Sequence, residues 1–245
     1  KILKEMGRNH TKNDIFKTIE NAREIGFDNI SIDLMYGLPN QTLELWQNTL
    51  NTALKLNIEH ISLYGLKIEK GCYWKKFPPK NLPNQDIQAD MQLLAFKVLS
   101  EKYEHYEFSN FALGQKYYSI HNLAYWKLEN YYGFGLSASG SIEDKRYTNT
   151  FNFSNYIKNP ILRQYEKLSK QQKIEEEIFL GLRLAQGIDF EHINKKYNID
   201  IYKMYNQEFN KFIKLNLLEP TSKGVKLTIK GIMVSNEVLC EFIKV

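Results

Sequence analysis

The segment that most restricts the fold of this chain is residues 29–42, with the sequence NISIDLMYGLPNQT. Apolar residues stand at every second position, which is the spacing of an extended strand with one hydrophobic face. The other face would carry the residues between them, Ser31, Asp33 and Met35. A Gly-Leu-Pro turn and a helix-capping residue, Thr42, follow. A strand that carries an acid near its C-terminal end and precedes a helix is how a β/α barrel presents a polar side chain for binding.

We expect this strand to be buried on both faces, because it is apolar and helical patterns surround it. The carboxylate of Asp33 then needs hydrogen-bonding partners. A pair of hydroxyl groups on a ligand would satisfy it, and so would backbone amides in a purely structural role. The residues alone leave both interpretations open.

Helices and strands alternate around this segment. Helical spacing of apolar residues follows Thr11 and stops at Gly26, and a second helix follows Thr42. A second strand is predicted over residues 60–68, HISLYGLKI. This alternation builds parallel sheets and barrels. Residues 1–68 are therefore expected to be the last third of a barrel that begins upstream, since no strand precedes the first helix and position 1 is not methionine.

The remainder divides into two further predicted domains, residues 69–168 and 169–245. A proline-rich loop precedes a helix predicted over 85–103. From Ser169 a helix through 185 is expected, with a solvated acidic run at 175–177.

Short helices, a hairpin over residues 217–228 and a last helix from Thr228 to Phe242 complete the chain, which suggests a winged-helix-like module. Such modules often bind DNA, but residues 169–245 hold 12 basic and 10 acidic residues, without the excess of positive charge that phosphate binding needs. We expect no nucleic-acid partner and instead a packing or protein-partner role.

Composition predicts a soluble, cytoplasmic protein. With 245 residues and 43% hydrophobic content the chain can bury a core, and it has neither an apolar run of about 18 residues nor a signal pattern. Its cysteines, Cys72 and Cys240, are far apart and lack a CxxC neighbour, so free thiols are expected. The oligomeric state stays open.

A second informative stretch is HNLAYW at residues 121–126. His121 offers one axial nitrogen, and Tyr125 and Trp126 offer flat, amphipathic surface, which together are what a heme face requires. The alternative is a hydrogen-bonded core histidine. The other histidines are scattered and are assigned structural roles; they are His10, His60, His105 and His192.

The glycine-rich stretch that follows, residues 131–142, allows the backbone to approach a flat ligand or another strand closely. Its spacing matches no nucleotide-binding loop.

Seven runs of the sequence resemble, in order, the radical S-adenosylmethionine proteins related to oxygen-independent coproporphyrinogen III oxidase, and most closely their HemW-type heme chaperone branch. The runs are MGRNH, IGFDNISIDLMYGLPNQT, HISLYGLKIEKG, YEHYEFSNFA, HNLAYW, GLRLAQGIDF and VKLTIKGIMVSNEVLCEFI. The resemblance implies an α/β fold: the C-terminal part of a partial (β/α)6 radical-SAM barrel, then an α+β accessory region with a winged-helix-like C-terminal module.

The resemblance also implies an S-adenosylmethionine site. Arg8, in the run that matches MGRNH, would lie near the methionyl carboxylate, for which its planar guanidinium is suited. Asp33 would accept hydrogen bonds from the ribose hydroxyls, and Met35, Tyr64 and Leu66 would line the adenine pocket. Without the family, Arg8 is a solvated charge beside a helix and the other three are core residues.

For heme, the chaperone branch carries an HNxxYW motif that this chain matches at each fixed position. His121 is then a possible heme-iron ligand, with Tyr125 and Trp126 as further heme contacts, and the heme would pass to acceptor proteins. Where relatives often have Gly-Ala-His, this chain has Ser-Ala-Ser at residues 137–139, which leaves a second histidine ligand open.

Family members hold a [4Fe-4S] cluster through a CxxxCxxC loop near the start of the barrel. This chain lacks that loop, so the cluster ligands are expected upstream of Lys1, and the chain alone is expected to be catalytically silent, with no catalytic residue assigned. Two alternatives to a heme chaperone remain: a coproporphyrinogen III oxidase that performs radical decarboxylation, and a winged-helix scaffolding or regulatory module.

Overall fold

The computed structural model of the chain describes residues 2–143 and 145–244. Its packing separates two units, Lys1–Tyr118 and Ser119–Val245, here called the first unit and the second unit. This division falls at a different place from the domain boundaries expected after residues 68 and 168, which stay predictions from the sequence.

The first unit contains one sheet and the helices that connect its strands. Its helices are α1 (Ile2–Glu5), α2 (Lys12–Glu24), α3 (Leu43–Lys55), α4 (Tyr73–Lys76) and α5 (Gln85–Leu99), and its strands are β1 (Ser31–Tyr36), β2 (His60–Gly65), β3 (Glu104–Glu107) and β4 (Asn110–Ala112). The strand order is β1-β2-β4-β3. β1 and β2 are parallel, and the other pairs are antiparallel. The predicted helix–strand alternation over the first 68 residues is therefore present, although β2 ends at Gly65.

The helix starts follow the predicted capping residues. Thr11 caps α2, and Asp14 completes a capping box with it. The Thr42 hydroxyl accepts a hydrogen bond from the backbone N–H of Leu45 at 3.2 Å. α2 ends just before Gly26, whose φ of +96° is a conformation that glycine adopts without steric cost. These contacts confirm both predicted caps and the predicted stop.

The core of the first unit lies between the sheet and helices α3 and α5. Trp46 of α3 is fully buried, and its indole N–H donates to the carbonyl oxygen of Met91 in α5 at 2.8 Å. Beneath the sheet, Phe96 meets the rings of His105 and Phe111, with ring centroids 4.9 and 5.7 Å away. One face of the sheet is thereby covered, and the other face carries the polar residues of β1 and β2.

The second unit contains two small antiparallel sheets among short helices. Its helices are α6 (Ile120–Trp126), α7 (Phe153–Lys158), α8 (Lys170–Gly181), α9 (Phe190–Tyr197), α10 (Ile201–Met204), α11 (Asn206–Lys214), α12 (Ile229–Met233) and α13 (Ser235–Cys240). Its strands are β5 (Ser139–Ile142), β6 (Lys145–Asn149), β7 (Arg163–Lys167), β8 (Ile188–Asp189), β9 (Leu218–Pro220) and β10 (Gly224–Leu227). The sheet orders are β5-β6-β7 and β8-β10-β9.

The second unit contains the predicted hairpin but not the predicted continuous last helix. The hairpin expected over residues 217–228 is present as β9 and β10. The last helix was expected to be continuous, but the backbone leaves the helical region at Val234 and divides it into α12 and α13. Gly140 lies against the ring of Tyr147, and a Cβ atom at Gly133 would meet the backbone of Ser139. The glycine-rich stretch therefore permits close packing within this unit.

The acidic run of α8, residues 175–177, was expected to be solvated, and that expectation is wrong. Glu175 is only 5% exposed, and it accepts hydrogen bonds from the side chain of Gln171 at 2.6 Å and from the backbone N–H of Lys244 at 3.0 Å. Glu177 binds Lys196 Nζ at 2.6 Å. Segments far away in sequence pack over two sides of α8, at Glu175 and at Glu177, which local periodicity cannot show.

Replacing Glu175 with alanine should destabilise the second unit. The change removes the acceptor for the side chain of Gln171 and for the backbone N–H of Lys244. A buried hydrogen-bonding group left without its partner costs about 1–3 kcal/mol. Urea denaturation followed by circular dichroism measures the free energy of unfolding. Glu166→Ala, an exposed acid on β7, is the matched control and should change stability by less than about 0.5 kcal/mol. Equal effects for the two variants would contradict the structural role of Glu175.

Candidate functional site

The register of β1 against β2 defines the polar face of the first unit. Its paired residues are Ser31 with His60, Asp33 with Ser62, and Met35 with Tyr64. Because alternate residues of a strand share a face, these six side chains lie together. The alternation in the sequence predicted this for Ser31, Asp33 and Met35, and the pairing adds the three residues of β2.

Asp33 is exposed, so the expectation of a strand buried on both faces is wrong. The reason is topological: within residues 2–143 and 145–244, β1 is an edge strand with β2 as its only neighbour. The same region of the structure provides no hydrogen bond to the Asp33 carboxylate. Asp33 is therefore accessible to a ligand and is not engaged by backbone amides.

Asp33 lines a cavity of about 350 Å³ beside the edge of β1. Lys12 and Phe16 of α2 form one side, and Leu45 and Thr49 of α3 form the other. The cavity thus combines one carboxylate and one ammonium group with hydroxyl and apolar surface.

Arg8 and Leu66 belong to a different part of the first unit. A cavity of about 770 Å³ is lined by Met6 and Gly7, the two residues before Arg8, and by Leu66. Arg8 itself is exposed. The structure therefore brings the MGRNH segment to Leu66, whereas Asp33 lines the separate cavity beside β1. Met35 and Tyr64 are neighbours across the β1–β2 pair, and Tyr64 is 43% exposed.

His60 links the polar face to β3. Its Nδ1 lies 2.7 Å from the hydroxyl of Ser31, and its Nε2 lies 2.8 Å from the hydroxyl of Tyr106. Burial lowers the pKa of His60 because it penalises the charged ring, although the nearby Asp33 carboxylate opposes that shift. A neutral imidazole can donate one of these hydrogen bonds and accept the other. Sequence reasoning assigned His60 a structural role without identifying these partners, which only the register reveals.

The HNLAYW motif forms helix α6 of the second unit. The Ser119 hydroxyl caps this helix by accepting from the N–H of Asn122 at 3.3 Å. His121 and Tyr125 are one turn apart and share a face, with ring centroids 4.9 Å apart and nearly perpendicular planes. Tyr131, which sequence reasoning missed, extends the row, with its ring 4.7 Å from that of Tyr125.

Trp126 lies apart from this row. The guanidinium carbon of Arg183 is 5.1 Å from the Trp126 ring centroid and 4.7 Å from that of Phe179. Such cation–π geometry holds α6 against the C-terminal end of α8. The structure therefore brings His121 and Tyr125 together, adds Tyr131 and separates Trp126, whereas the sequence motif groups the first two with Trp126.

The cysteines and acidic residues do not form a metal site in the part of the chain that the structure describes. Cys72 and Cys240 are both free and exposed. Within the described ranges, 2–143 and 145–244, His, Cys, Asp and Glu side chains form no group of three that could hold a metal ion. The described residues therefore do not fit an iron–sulfur cluster.

The helices in the same ranges are too short or too polar to cross a bilayer.

Comparison with known proteins shows homology along the chain. Residues 168–234 match the family model of the HemN C-terminal domain. Heme chaperone HemW of Lactococcus lactis is 35% identical over 99% of this chain and 65% of its own length, and that of Bacillus subtilis is 36% identical over 99% and 66%. The chain thus spans about two thirds of the length of these curated relatives.

A solved structure shows the same fold. Coproporphyrinogen III oxidase (HemN) from Escherichia coli, described as a radical SAM enzyme, superposes with a TM-score of 0.79 at 20% sequence identity, covering 99% of this chain and 61% of that one. At this identity the likeness establishes the fold alone, a mixed α/β fold.

Lowering the pH from 8 to 5 should destabilise the first unit. His60 has a pKa below its ordinary value of 6.5 in the folded protein, so the unfolded chain binds more protons around and below that pH. The folded protein keeps its full stability above pH 6.5, the ordinary pKa of histidine, and loses stability as the pH falls towards the lowered pKa of His60. Urea denaturation at several pH values measures this loss. His60→Gln should reduce the pH dependence and His10→Gln, at an exposed site, should not; identical slopes in all three proteins would disprove the role of His60.

Proposed function

This chain is a homologue of the HemW heme chaperones, and from that premise we propose that it belongs to a radical S-adenosylmethionine protein that binds heme and delivers it to acceptor proteins. The observation that carries the proposal is the exposed His121, whose ring lies nearly perpendicular to that of Tyr125 in the HNLAYW motif. The whole-length similarity to HemW proteins supports the same assignment.

The heme face would be the row of rings on α6. His121 supplies a nitrogen that can coordinate iron, and Tyr125 packs against the imidazole and restricts its rotation. Trp126 would contribute indirectly, because its contact with Arg183 fixes the orientation of α6 on α8. A helix that is capped at Ser119 and anchored at Trp126 offers His121 on a rigid support.

The S-adenosylmethionine site would lie on the first unit. Asp33 would accept from the ribose hydroxyls, since it is exposed and its hydrogen-bonding capacity is unused within residues 2–143 and 145–244. Arg8 would bind the methionyl carboxylate, and Met35, Tyr64 and Leu66 would line the adenine pocket. The proximity of Met6 and Gly7 to Leu66 supports the placement of Arg8 beside that pocket.

The C-terminal elements would form a winged-helix-like module for protein contacts. Helix α8, strand β8, helices α9 to α11 and the hairpin β9–β10 follow one another in the order of that fold, with β8 completing the sheet. Many of its lysines pair with acids, including Lys196 with Glu177 and Lys226 with Glu219. Lysines that are paired in this way contribute little positive potential for phosphate binding, so we assign the module a packing or partner role.

Replacing His121 with alanine should remove the specific component of heme binding, because the iron loses its proposed axial nitrogen. Heme titration followed in the Soret band measures the effect, and we expect the Soret change to shrink and the affinity to fall at least about tenfold. His192→Ala removes another exposed histidine of the second unit and should leave the titration unchanged. A normal titration for His121→Ala would overturn the assignment of the heme face.

Asp33→Asn should weaken the binding of S-adenosylmethionine, measured on the full-length protein. The change replaces two charge-assisted hydrogen bonds, worth about 1.5–3 kcal/mol each, with neutral ones worth about 0.5–1.5 kcal/mol each, which together should lower the affinity about tenfold or more. Equilibrium dialysis with labelled S-adenosylmethionine measures it. Asp28→Asn, at a nearby exposed acid, serves as the control, and equal affinity of both variants would exclude Asp33 from the ribose site.

A further inference from the structure

A cavity of about 430 Å³ in the second unit has an unusual concentration of basic side chains. It lies between the β5–β6 hairpin, the first half of α8 and the C-terminal end of α9. Five of its lining residues are cationic: Lys145, Arg146, Lys170, Lys173 and Lys196. Two are acidic, Glu143 and Glu176. The described lining therefore carries a net positive charge.

Part of this charge is already neutralised by ion pairs. Arg146 binds Glu176 at 2.6 Å, and Lys196 binds Glu177 at 2.6 Å. Lys145 and Lys170 are different, because both are exposed and neither forms an ion pair with another described residue. These two ammonium groups are therefore available to an anion that enters the cavity.

The cavity continues the row of rings that begins at His121. Leu128, which lines the cavity, directly follows the end of α6, the helix that carries His121 and Tyr125, because α6 ends at Trp126 and is capped by Lys127. Tyr131 provides the second connection: its ring contacts Tyr125, and its backbone exchanges hydrogen bonds of 2.8 and 2.9 Å with Ser141, another lining residue.

Burial raises the pKa of Tyr131, and the charges of Arg146 and Glu176 both act on its hydroxyl. Because the backbone of Tyr131 is hydrogen-bonded to Ser141, the row of rings is connected to a residue that lines the cationic cavity.

We propose that this cavity receives the carboxylates of the flat macrocycle whose iron His121 would bind, with Lys145 and Lys170 as their partners. The inference rests on the proposed heme-binding function. Heme has iron at its centre, an apolar ring around the iron and two propionate carboxylates on one edge. A matching surface therefore offers a metal ligand, then aromatic side chains, then cations at increasing distance from the iron. Here His121, the tyrosine row and the cavity follow that order, and ammonium groups bind carboxylates through charge-assisted hydrogen bonds.

The test uses the full chain with two charge reversals, Lys145→Glu and Lys170→Glu. Ferric heme and its dimethyl ester, in which both carboxylates are masked, are titrated into the unaltered and the doubly substituted protein. We expect the affinity for heme to fall at least about tenfold, because attraction at two positions becomes repulsion. Affinity for the ester should stay the same in both proteins.

A matched control carries Lys158→Glu and Lys203→Glu, two exposed lysines of the same unit outside the cavity. It has the same net charge as the test variant, so a general electrostatic effect would weaken heme binding equally in both. Unchanged heme affinity in the test variant, or an equal loss for the ester, would overturn this inference while the heme-binding proposal stands. Failure of the unaltered chain to bind either ligand would overturn both.

Discussion

The parallel pairing of β1 with β2 is the constraint on which the polar face of the first unit depends. It fixes Asp33 beside Ser62 and Ser31 beside His60, so a shift by one residue would turn the whole set to the apolar side of the sheet. The buried indole of Trp46 and the ring cluster around Phe96 hold the helices on that apolar side. The register is therefore secured by the hydrophobic core, and Asp33 can remain exposed without losing its position.

Local patterns predicted this architecture well where the cause is local. Capping residues and alternation depend on neighbours within a few positions, and Thr11, Thr42 and the face shared by Ser31 and Asp33 were found as expected. The break at Val234 was not predicted. The burial of Glu175 was not predicted either, because it depends on the packing of the distant segment that contains Lys244. The exposure of Asp33 follows from sheet order, which a single strand pattern does not contain.

The candidate sites show the same division. Helical spacing predicts that His121 and Tyr125 meet, and they do. Tyr131 joins them only because its backbone bridges to Ser141, and no spacing rule connects those positions. Likewise, the cationic cavity collects lysines from a hairpin and two helices that are widely separated in the sequence, and a charge count over residues 169–245 includes only some of them. Net charge counts every charged residue equally, whereas the structure shows which cations are paired with acids, such as Arg146 with Glu176.

The division of HNLAYW between two sides of α6 has a wider consequence. His121 faces solvent, whereas Trp126 on another side of the same helix contacts Arg183. The motif therefore combines two separable requirements: a side chain that can bind a ligand and a ring that anchors the helix. A related chain could have a different aromatic residue in place of Trp126 and still anchor the helix that carries the histidine. Conversely, a related chain could match the whole motif and lack an arginine equivalent to Arg183. The helix that carries its histidine would then be less firmly packed.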